Sequence, residues 1–536
     1  MRALTMVLTA ALCCAQVVRC EVYTSSQDLT AVFALERRLV AALNNYVGEM
    51  EARLNRIRRY LHQYEQVSAE GASTEEGIME RLAGNPVHAF HLMKRLTVDW
   101  KHIQNHNNID DSWRGVVEAL SGASVGSGAN GGVAGSFRVR LPREEDLHGA
   151  AQALVRLHDV YNLNMTQLVR GNVWGVESYA ELTAQDCLYM GKHSFNLGLY
   201  PRAIQWFEEA YLLAGHEGNA TVSQDQVNMF LNTAIKAYDE QVLGREGDEG
   251  SLPLHTAEVD PKKFKYRLGS DLTPQEDALN FQALCRGEQL LSPEYQASLS
   301  CFYDTRGEAY FRLMPVKVEI LHHNPELMVF HDVISDKEIE TVKTMAHPVL
   351  ARAMVQGAQG KGNTVSTTRT SKVGWLDDSL HPLVARLGHR ISLLTGLSTD
   401  VAAEHAELLQ VSNYGIGGHY NPHHDYLLVD KSEKEQLLHN IHPRELFMGD
   451  RIATFMFYLS DVTRGGATAF PRLGTAAWPS KGSAAFWHNL KKSGHADTAT
   501  LHGACPVVIG YKWVSNKWIR ERGQFLRRKC GLSPEE

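Results

Sequence analysis

The hydrophobic pattern changes near residue 316, and this change constrains the fold more than any other feature of the 536-residue chain. Before it, apolar residues recur every three or four positions, which is the spacing of amphipathic helices. After it, short apolar runs such as "VKVEILH", "IATFMFYLSD" and "SAAFWHN" dominate. Many short strands at one end of a chain are typical of a barrel or sandwich. The sequence therefore predicts an α+β protein with N-terminal helical domains and a C-terminal β domain.

The longest helical pattern covers residues 29–64. Its apolar residues, from Leu29 through Leu43 and Met50 to Tyr64, follow steps of three and four with Arg and Glu on the other faces. Such a continuous stripe is typical of a coiled-coil-like seam between two copies of a helix. It is equally typical of a long helix packed within its own domain, and both interpretations stay open.

A second helical pattern, at 182–214, resembles one tetratricopeptide unit, in which two helices pack through small and large residues. Gly191 and Ala203 are the small residues, the large ones include Trp206, and Pro201 suits the first turn of the second helix. Stacked units of this kind form peptide-binding surfaces, although such aromatic residues are more often simply core. A further helix is expected at 222–241. The glycine-rich stretch 121–136 and the polar stretch 242–275 indicate linkers.

The N-terminus and the composition indicate a protein of the secretory pathway. Residues 1–20 resemble a signal peptide, and we find no second apolar stretch long enough to span a membrane. The net charge of −7 favours neither nucleic acid nor an anionic membrane as a partner. Asn164 and Asn219 begin glycosylation sequons.

The cysteines fit an oxidising compartment. Cys285 with Cys301 and Cys505 with Cys530 are the natural local disulfide pairs. Cys187 lies inside a helical pattern and is expected to be a buried apolar residue.

The stretch "HYNPHHDY" at 419–426 contains candidate metal ligands. On a strand, His423 and Asp425 would share a face while His424 points away. One histidine and one carboxylate are two thirds of the triad that holds Fe(II) and leaves positions open for oxygen and a co-substrate. Alone, this triplet is weak evidence, because such a pattern is more often a polar surface loop.

Two downstream residues complete a possible site. His502 precedes an apolar strand, and Lys512 follows it by ten residues. A lysine at the bottom of an apolar pocket could neutralise the distal carboxylate of a dicarboxylate co-substrate. The glycine-rich turn "RGGATAFP" at 464–471 lies between the two halves of this constellation.

The motifs "LQVSNYGIGGHYNPHHDY", "DRIATFMFYLSDVTRGGATAFP" and "HGACPVVIGYKWVSNKWIRERGQ" resemble the α subunits of the collagen prolyl 4-hydroxylases. The resemblance implies a double-stranded β-helix (jelly-roll) catalytic domain, with iron held by His423, Asp425 and His502. It implies that Lys512 binds the C5 carboxylate of 2-oxoglutarate and that Tyr414 lines that pocket. The family also places two disulfides at the cysteine pairs given above.

Two features depart from the family pattern. The family usually has a histidine eight residues after the pocket lysine, linked to the other end of the co-substrate, and this chain has Arg520 there. The stretch "NMFLNTAIKAY" has few of the tyrosines that the family presents to proline-rich ligands, so the substrate preference could differ. We interpret His424 as a bystander and His419 as a surface histidine.

The resemblance implies a 2-oxoglutarate-dependent dioxygenase that hydroxylates peptidyl proline at C4 in collagen-like chains, with ascorbate as a protective reductant. It also implies an α2β2 assembly with protein disulfide isomerase. Since the C-terminus "LSPEE" is not a retrieval signal, retention in the lumen of the endoplasmic reticulum would depend on that partner. Two other functions stay open, namely a hydroxylase of another peptide residue such as lysine, and a non-catalytic peptide-binding scaffold with a vestigial barrel.

The expected domains follow from these patterns. They are a signal peptide (1–20), a helical dimerisation domain (21–150), a tetratricopeptide-like peptide-binding domain (151–245), a linker (246–315) and the dioxygenase domain (316–536).

Overall fold

The computed structural model describes residues 26–68, 84–101, 103, 142–178, 180–216, 222–243, 265–355, 364–365, 369–427, 443–534 and 536. These residues fall into two compact units. The first unit lies within residues 1–70 and 95–123, and the second within residues 71–94 and 124–536. The predicted signal peptide, the glycine-rich stretch at 121–136 and the sequon at Asn219 lie outside the described residues.

The first unit contains helix α1 (Ser26–Ser68), which confirms the helix predicted over 29–64. Its apolar stripe is exposed: Leu39, Leu43 and Tyr46 each leave more than half of their surface open. A short π-helix (Arg95–Asp99) belongs to the same unit, and the Trp100 ring lies 5.6 Å from that of Tyr60. The choice between a seam and an ordinary packed helix therefore stays a prediction.

The second unit begins with a group of helices. These are α2 (Pro86–Lys94), α3 (Glu144–Tyr161), α4 (Met165–Val169), α5 (Ala184–Asn196), α6 (Tyr200–His216) and α7 (Gln224–Leu243). The helix pair expected at 182–214 and the helix expected at 222–241 are confirmed. Between α5 and α6, a carbon atom added at Gly191 would lie 2.4 Å from the Phe207 ring, so only glycine allows this close packing.

The stretch 246–315 is not an unstructured linker, at least from residue 265 onward. It forms α8 (Pro274–Cys285), α9 (Pro293–Ser298), strand β1 (Cys301–Asp304) and α10 (Ala309–Leu313). Thr273 caps α8, and its hydroxyl and the Glu276 carboxylate satisfy each other's backbone N–H groups. This "TPQE" capping box was the local signal that the linker prediction overlooked.

A nine-stranded antiparallel sheet forms the centre of the C-terminal region, in the order β1-β2-β3-β14-β10-β17-β8-β7-β4. Its further strands are β2 (Val316–His323), β3 (Glu326–His331), β4 (Ala351–Arg352), β7 (Lys372–Leu376), β8 (Leu409–Tyr414), β10 (Arg451–Tyr458), β14 (Ala484–His488) and β17 (Lys512–Arg520). Helices α11 (Asp336–Ala346) and α12 (Pro382–Thr395) share one core with it.

Alternation along β10 divides this sheet between two cores. Phe455 and Phe457 pack into the core that includes α11 and α12. Met456 and Tyr458 belong to a second core together with Phe470. Because neighbouring residues of a strand point to opposite faces, one continuous apolar run can fill both cores.

A four-stranded sheet, in the order β13-β12-β15-β9, contributes to the second core. Its strands are β9 (Tyr420–His423), β12 (Thr468–Phe470), β13 (Thr475–Ala477) and β15 (His502–Ala504). Two small ladders pair β5 (Met354–Val355) with β6 (Thr364–Val365), and β11 (Arg464–Gly465) with β16 (Val507–Ile509). Helix α13 (Pro443–Met448) precedes β10.

The predicted disulfide pairing is wrong. The structure joins Cys285 to Cys505, with Cα atoms 5.5 Å apart, and leaves Cys301 and Cys530 exposed outside any disulfide. Proximity along the chain misled the prediction, because folding brings the end of α8 to the turn after β15. Cys187 is buried, as expected.

Among the described residues, no helix combines the length and the apolar character needed to cross a bilayer.

Asn164, the one predicted sequon within the described residues, is exposed and caps α4, where its side-chain oxygen accepts the Gln167 N–H.

Candidate active site

Two neighbouring strands bring the candidate metal ligands together. His423 ends β9 and lies directly opposite His502, the first residue of β15. Asp425 follows in a bend after the strand, so the prediction that it shares the strand face with His423 was only partly right. One ligand atom from each of the three residues lies within 4.8 Å of the others.

The distances within this trio suit a small cation. Nε2 of His423 is 3.7 Å from one Asp425 oxygen, and Nε2 of His502 is 3.6 Å from the other. The Nδ1–H of His423 donates to the Asn421 carbonyl at 2.9 Å, and that of His502 donates to the Thr500 carbonyl at 3.0 Å. These two bonds select the tautomer in which each Nε2 offers its lone pair to a metal.

The electrostatics favour the metal-binding forms of His423 and Asp425. Burial and the neighbouring His502 lower the pKa of His423 to about 3, so its ring is neutral near pH 7. Burial opposes ionisation of Asp425, but His502, His423 and Arg451 outweigh it and lower the pKa of this carboxyl to about 2. Thr454 donates its hydroxyl to Asp425 at 2.7 Å and orients the carboxylate. Two imidazoles and a carboxylate form the donor set of the iron facial triad.

Aromatic rings pack around the two histidines. The Tyr420 ring stacks on His423 with centroids 3.6 Å apart, and Trp487 lies 4.7 Å from His502. The Arg369 guanidinium lies 4.8 Å from the centre of the Tyr420 ring. Of these, only Tyr420 had a sequence signal, as the aromatic residue three positions before His423.

Lys512 lies in the second core with only 1% of its surface exposed. Within the described part of the chain, its ammonium has one hydrogen-bond partner, the Thr468 hydroxyl at 3.3 Å. Burial lowers the pKa of Lys512 to about 7. Gly510, at φ +95°, lies in the turn that returns the chain from β16 to β17. A buried ammonium with a single neutral partner is costly unless an anion binds beside it, which fits a carboxylate ligand.

Tyr414 lies opposite Lys512 on the neighbouring strand β8. Its ring centre is 5.9 Å from the ammonium, and that of Tyr458 is 5.6 Å away. Tyr414 is buried, so its position is compatible with the predicted role in lining a pocket around Lys512.

The structure does not bring Arg520 to Lys512. Eight residues of continuous strand separate them, which is about 26 Å at ~3.3 Å per residue. The Arg520 guanidinium is fully buried and binds the carboxylates of Glu407 and Glu445. Glu407 also accepts two hydrogen bonds from Arg451, at 2.6 and 2.9 Å. The contacts of Arg520 are thus those of an ion network away from Lys512, and its expected role at the other end of the co-substrate stays a prediction.

The two remaining histidines of the motif lie outside the metal trio. His424 donates to the Thr498 carbonyl from Nε2 at 3.1 Å, as suits a bystander. His419 was predicted to lie at the surface, but it is buried. Helix α3 covers this segment, and its Arg156 donates to the Gly417 carbonyl at 2.9 Å. Burial and the charge of Arg156 lower the pKa of His419 to about 3.

Two family profiles match the chain. The N-terminal region of the prolyl 4-hydroxylase alpha subunit matches residues 25–175. The 2OG-Fe(II) oxygenase superfamily matches residues 409–520, which include the metal trio and Lys512.

Similar proteins cover nearly the whole length of the chain. Prolyl 4-hydroxylase subunit alpha-1 of Rattus norvegicus is 35% identical, over 96% of this chain and 96% of its own. The Gallus gallus subunit alpha-1 is 36% identical, over 96% and 99% respectively. Among solved structures, the viral collagen prolyl hydroxylase of Paramecium bursaria Chlorella virus-1 matches 36% of this chain and 95% of its own. That match has 24% identity and a TM-score of 0.28. The resemblance seen in the sequence is confirmed, and the chain belongs to the prolyl 4-hydroxylase alpha-subunit family with an oxygenase domain of the 2OG-Fe(II) superfamily.

Proposed function

We propose that this chain hydroxylates peptidyl proline at C4 in collagen-like, proline-rich chains, using O2 and 2-oxoglutarate and releasing succinate and CO2. The observation that carries the proposal is the His423–Asp425–His502 trio together with a buried Lys512, in a chain similar along 96% of its length to a prolyl 4-hydroxylase alpha subunit. Fe(II), when bound, supplies the oxidising chemistry.

His423 and His502 would hold the iron through Nε2, and Asp425 through a carboxylate oxygen. The three donors come from β9, from β15 and from the bend that follows β9, which leaves the other coordination positions to co-substrates. Thr454 keeps the carboxylate oriented, and the backbone carbonyls of Asn421 and Thr500 keep both rings in the required tautomer.

Lys512 would bind the distal carboxylate of 2-oxoglutarate. Its ammonium is already desolvated and directed at the Thr468 hydroxyl, so an incoming carboxylate would replace a poor partner by a strong one. Tyr414 would line this pocket. The rings of Trp487 and Tyr420 would restrict water around the metal.

We also propose the specific architecture that the sequence predicts, which goes beyond the helices and sheets described above. The nine-stranded and four-stranded sheets that line the second core support a double-stranded β-helix. The α5–α6 pair followed by α7 supports a tetratricopeptide-like module for the peptide substrate. The domain boundaries at residues 150, 245 and 316 belong to the same proposal. Residues 265–315, which were expected to be a linker, form helices and a strand of the folded unit instead.

Assembly and location are further parts of the proposal. We expect two α chains to combine with two copies of protein disulfide isomerase in the lumen of the endoplasmic reticulum, after removal of residues 1–20. Glycans would be attached at Asn164 and Asn219, and ascorbate would keep the iron reduced. Exposed Asn164 and the family membership support these points.

Mass spectrometry of peptides tests the proposed activity. Full-length protein is incubated with Fe(II), 2-oxoglutarate, ascorbate and either proline-rich or lysine-bearing collagen-like peptides. A mass gain of one oxygen on proline, with matching succinate, supports the proposal. Oxygen on lysine alone would make the chain a lysyl hydroxylase, and bound iron without peptide-dependent succinate would make it a scaffold. His502→Ala, which removes a ligand, is the inactive control.

A further inference from the structure

A tight turn between α4 and α5 presents a tryptophan in a backbone conformation that tryptophan rarely adopts. Val173 and Val176 exchange backbone hydrogen bonds of 3.0 and 3.1 Å around Trp174 and Gly175. Both central residues have positive φ, +52° and +82°. A two-residue hairpin with positive φ at both positions strongly prefers Asn-Gly, because a bulky side chain is disfavoured in the left-handed region.

Hydrogen bonds from neighbouring residues hold this turn. Asn85, which is fully buried, donates from Nδ2 to the carbonyls of Gly171 and Val176 at 2.8 and 3.0 Å. The Gly175 N–H donates to the Asn172 side chain at 3.0 Å. The indole of Trp174 nevertheless stays 40% exposed. Tryptophan is unfavourable in this backbone conformation, yet the surrounding hydrogen bonds keep it there with its ring partly exposed. This indicates that Trp174 has a role other than stabilising the fold.

One side chain connects Trp174 with the candidate active site. Its ring packs edge-on against Tyr161, with centroids 5.0 Å apart. Tyr161 is buried and donates its hydroxyl to the carbonyl of Pro506, which follows His502 by four residues. A carbon atom added at Gly465 would lie 2.7 Å from the Tyr161 hydroxyl.

Both segments that Tyr161 contacts lead along the chain to the candidate active site. Gly465 precedes Thr468, the hydrogen-bond partner of Lys512, by three residues. The Gly466 N–H donates to the same Pro506 carbonyl at 3.2 Å. Trp174 therefore packs on Tyr161, which contacts segments that continue into the walls of the metal and co-substrate sites.

We propose that Trp174 is a docking platform for the proline-rich substrate chain, holding one segment of it while another proline occupies the metal site. The proposal rests on the proposed function and adds a binding contact to it. An extended proline-rich chain is already close to its bound conformation, and aromatic faces are the usual surface that recognises it. The indole loses little entropy on binding, because it has only two side-chain torsions and already packs against Tyr161.

Trp174→Asn is the discriminating variant. It installs the residue that the turn prefers, so the melting temperature should stay the same or rise, while the aromatic surface is lost. Fluorescence anisotropy of a labelled peptide of ten Pro-Pro-Gly repeats, titrated with full-length metal-free protein, measures binding without catalysis. We expect the dissociation constant to increase roughly three- to tenfold, the range given by one aromatic contact.

Three comparisons complete the test. Trp174→Phe keeps a ring and should retain most of the affinity, and Trp478→Asn, at another exposed tryptophan, should leave affinity unchanged. With active enzyme, Trp174→Asn should increase the Michaelis constant for the long peptide while the Michaelis constant for the co-substrate stays the same.

An unchanged dissociation constant in stable Trp174→Asn protein would overturn the platform, as would wild-type protein that binds an equally long proline-free peptide as tightly. Failure of the wild-type enzyme to hydroxylate any proline would instead contradict the proposed function. The dissociation constants of the wild type and Trp174→Asn for the peptide would still test the platform in that case.

Discussion

At the scale of single residues, the buried charge of Lys512 is the feature that physical reasoning explains best. Lysine is rarely buried without a counter-charge, because removing an ammonium from water is costly. Here the group is 1% exposed and has only a hydroxyl at 3.3 Å. Such a site makes sense if the protein keeps an anion position ready, and a dicarboxylate co-substrate provides that anion.

Removing this ammonium should weaken the binding of 2-oxoglutarate selectively. Lys512→Ala leaves a cavity and an unpaired carboxylate, a loss of about 3 kcal/mol, so we expect the Michaelis constant for this co-substrate to increase about 100-fold. Iron content should stay near that of the wild type, because the metal ligands lie elsewhere. Lys512→Arg should not restore activity, since the planar guanidinium is bulkier. Parallel loss of iron, or an unchanged Michaelis constant, would contradict this assignment.

The same lysine predicts a pH dependence. Its pKa is about 7 in the folded protein and near 10.5 when it is exposed. The unfolded chain therefore binds the extra proton between these values, and the folding penalty of this residue is relieved as pH rises through that window. Co-substrate binding has the opposite dependence, because the carboxylate needs the ammonium form. Burial raises the pKa of Tyr458, so this neighbour stays neutral over the same range.

Calorimetry can measure that dependence. We expect the affinity for 2-oxoglutarate to fall about tenfold for each pH unit above 7, with proton uptake on binding that is visible as a buffer-dependent heat. Lys512→Ala should bind weakly at every pH and lose this slope. A slope that persists in the variant would assign the titration to another group.

The residues of the site differ in how far sequence alone could predict them. His423, Asp425, His502 and Lys512 carry their signal in spacing and chemistry. Thr454 and Trp487 do not, because they reach the site only when β10 and β14 pair within the sheet. Arg520 could be located on its strand but not assigned its partners, since Glu407 and Glu445 approach it from distant segments.

At the scale of elements, the contact between α5 and α6 depends on one small residue. A methyl group at Gly191 would meet the Phe207 ring at 2.4 Å, so Gly191→Ala should force the helices apart. Overpacking of this kind costs about 1–3 kcal/mol, which we expect as a lower free energy of unfolding in denaturant titrations. Gly149→Ala on α3 is the matched control, because nothing lies within 4 Å of the added carbon. That change should be neutral or stabilising by up to about 1 kcal/mol, and equal effects of the two would refute the packing argument.

Periodicity predicted α1, the α5–α6 pair and α7, because each of these helices repeats its apolar residues over several turns. It failed between residues 265 and 315, where the elements are short and polar and are recognisable only by caps such as Thr273. The disulfide failed for a different reason. Sequence distance says little about which cysteines meet once α8 has packed beside β15, with Phe281 against Gly503.

At the scale of the whole molecule, the chain combines two compact units. The larger unit holds the helices of the proposed peptide module and the oxygenase sheets in one body, so α3 contacts the segment before the metal ligands directly. The smaller unit contains α1, whose apolar stripe faces solvent in the described part of the chain. A polar surface would be expected there if nothing were to cover it.

That stripe predicts self-association through α1. Leu43 is 61% exposed in the middle of a 43-residue helix, and a coiled-coil partner would bury it together with Leu39 and Met50. Leu43→Glu should place a charge in this seam and convert a dimer of α chains into monomers, measured as a halved mass in multi-angle light scattering. Asn45→Glu adds the same charge about 200° around the helix, away from the stripe, and should leave the mass unchanged. A wild-type mass that Leu43→Glu does not alter would show that α1 is covered in another way, because a buried glutamate in the middle of a two-stranded seam could not be accommodated without a large loss of affinity.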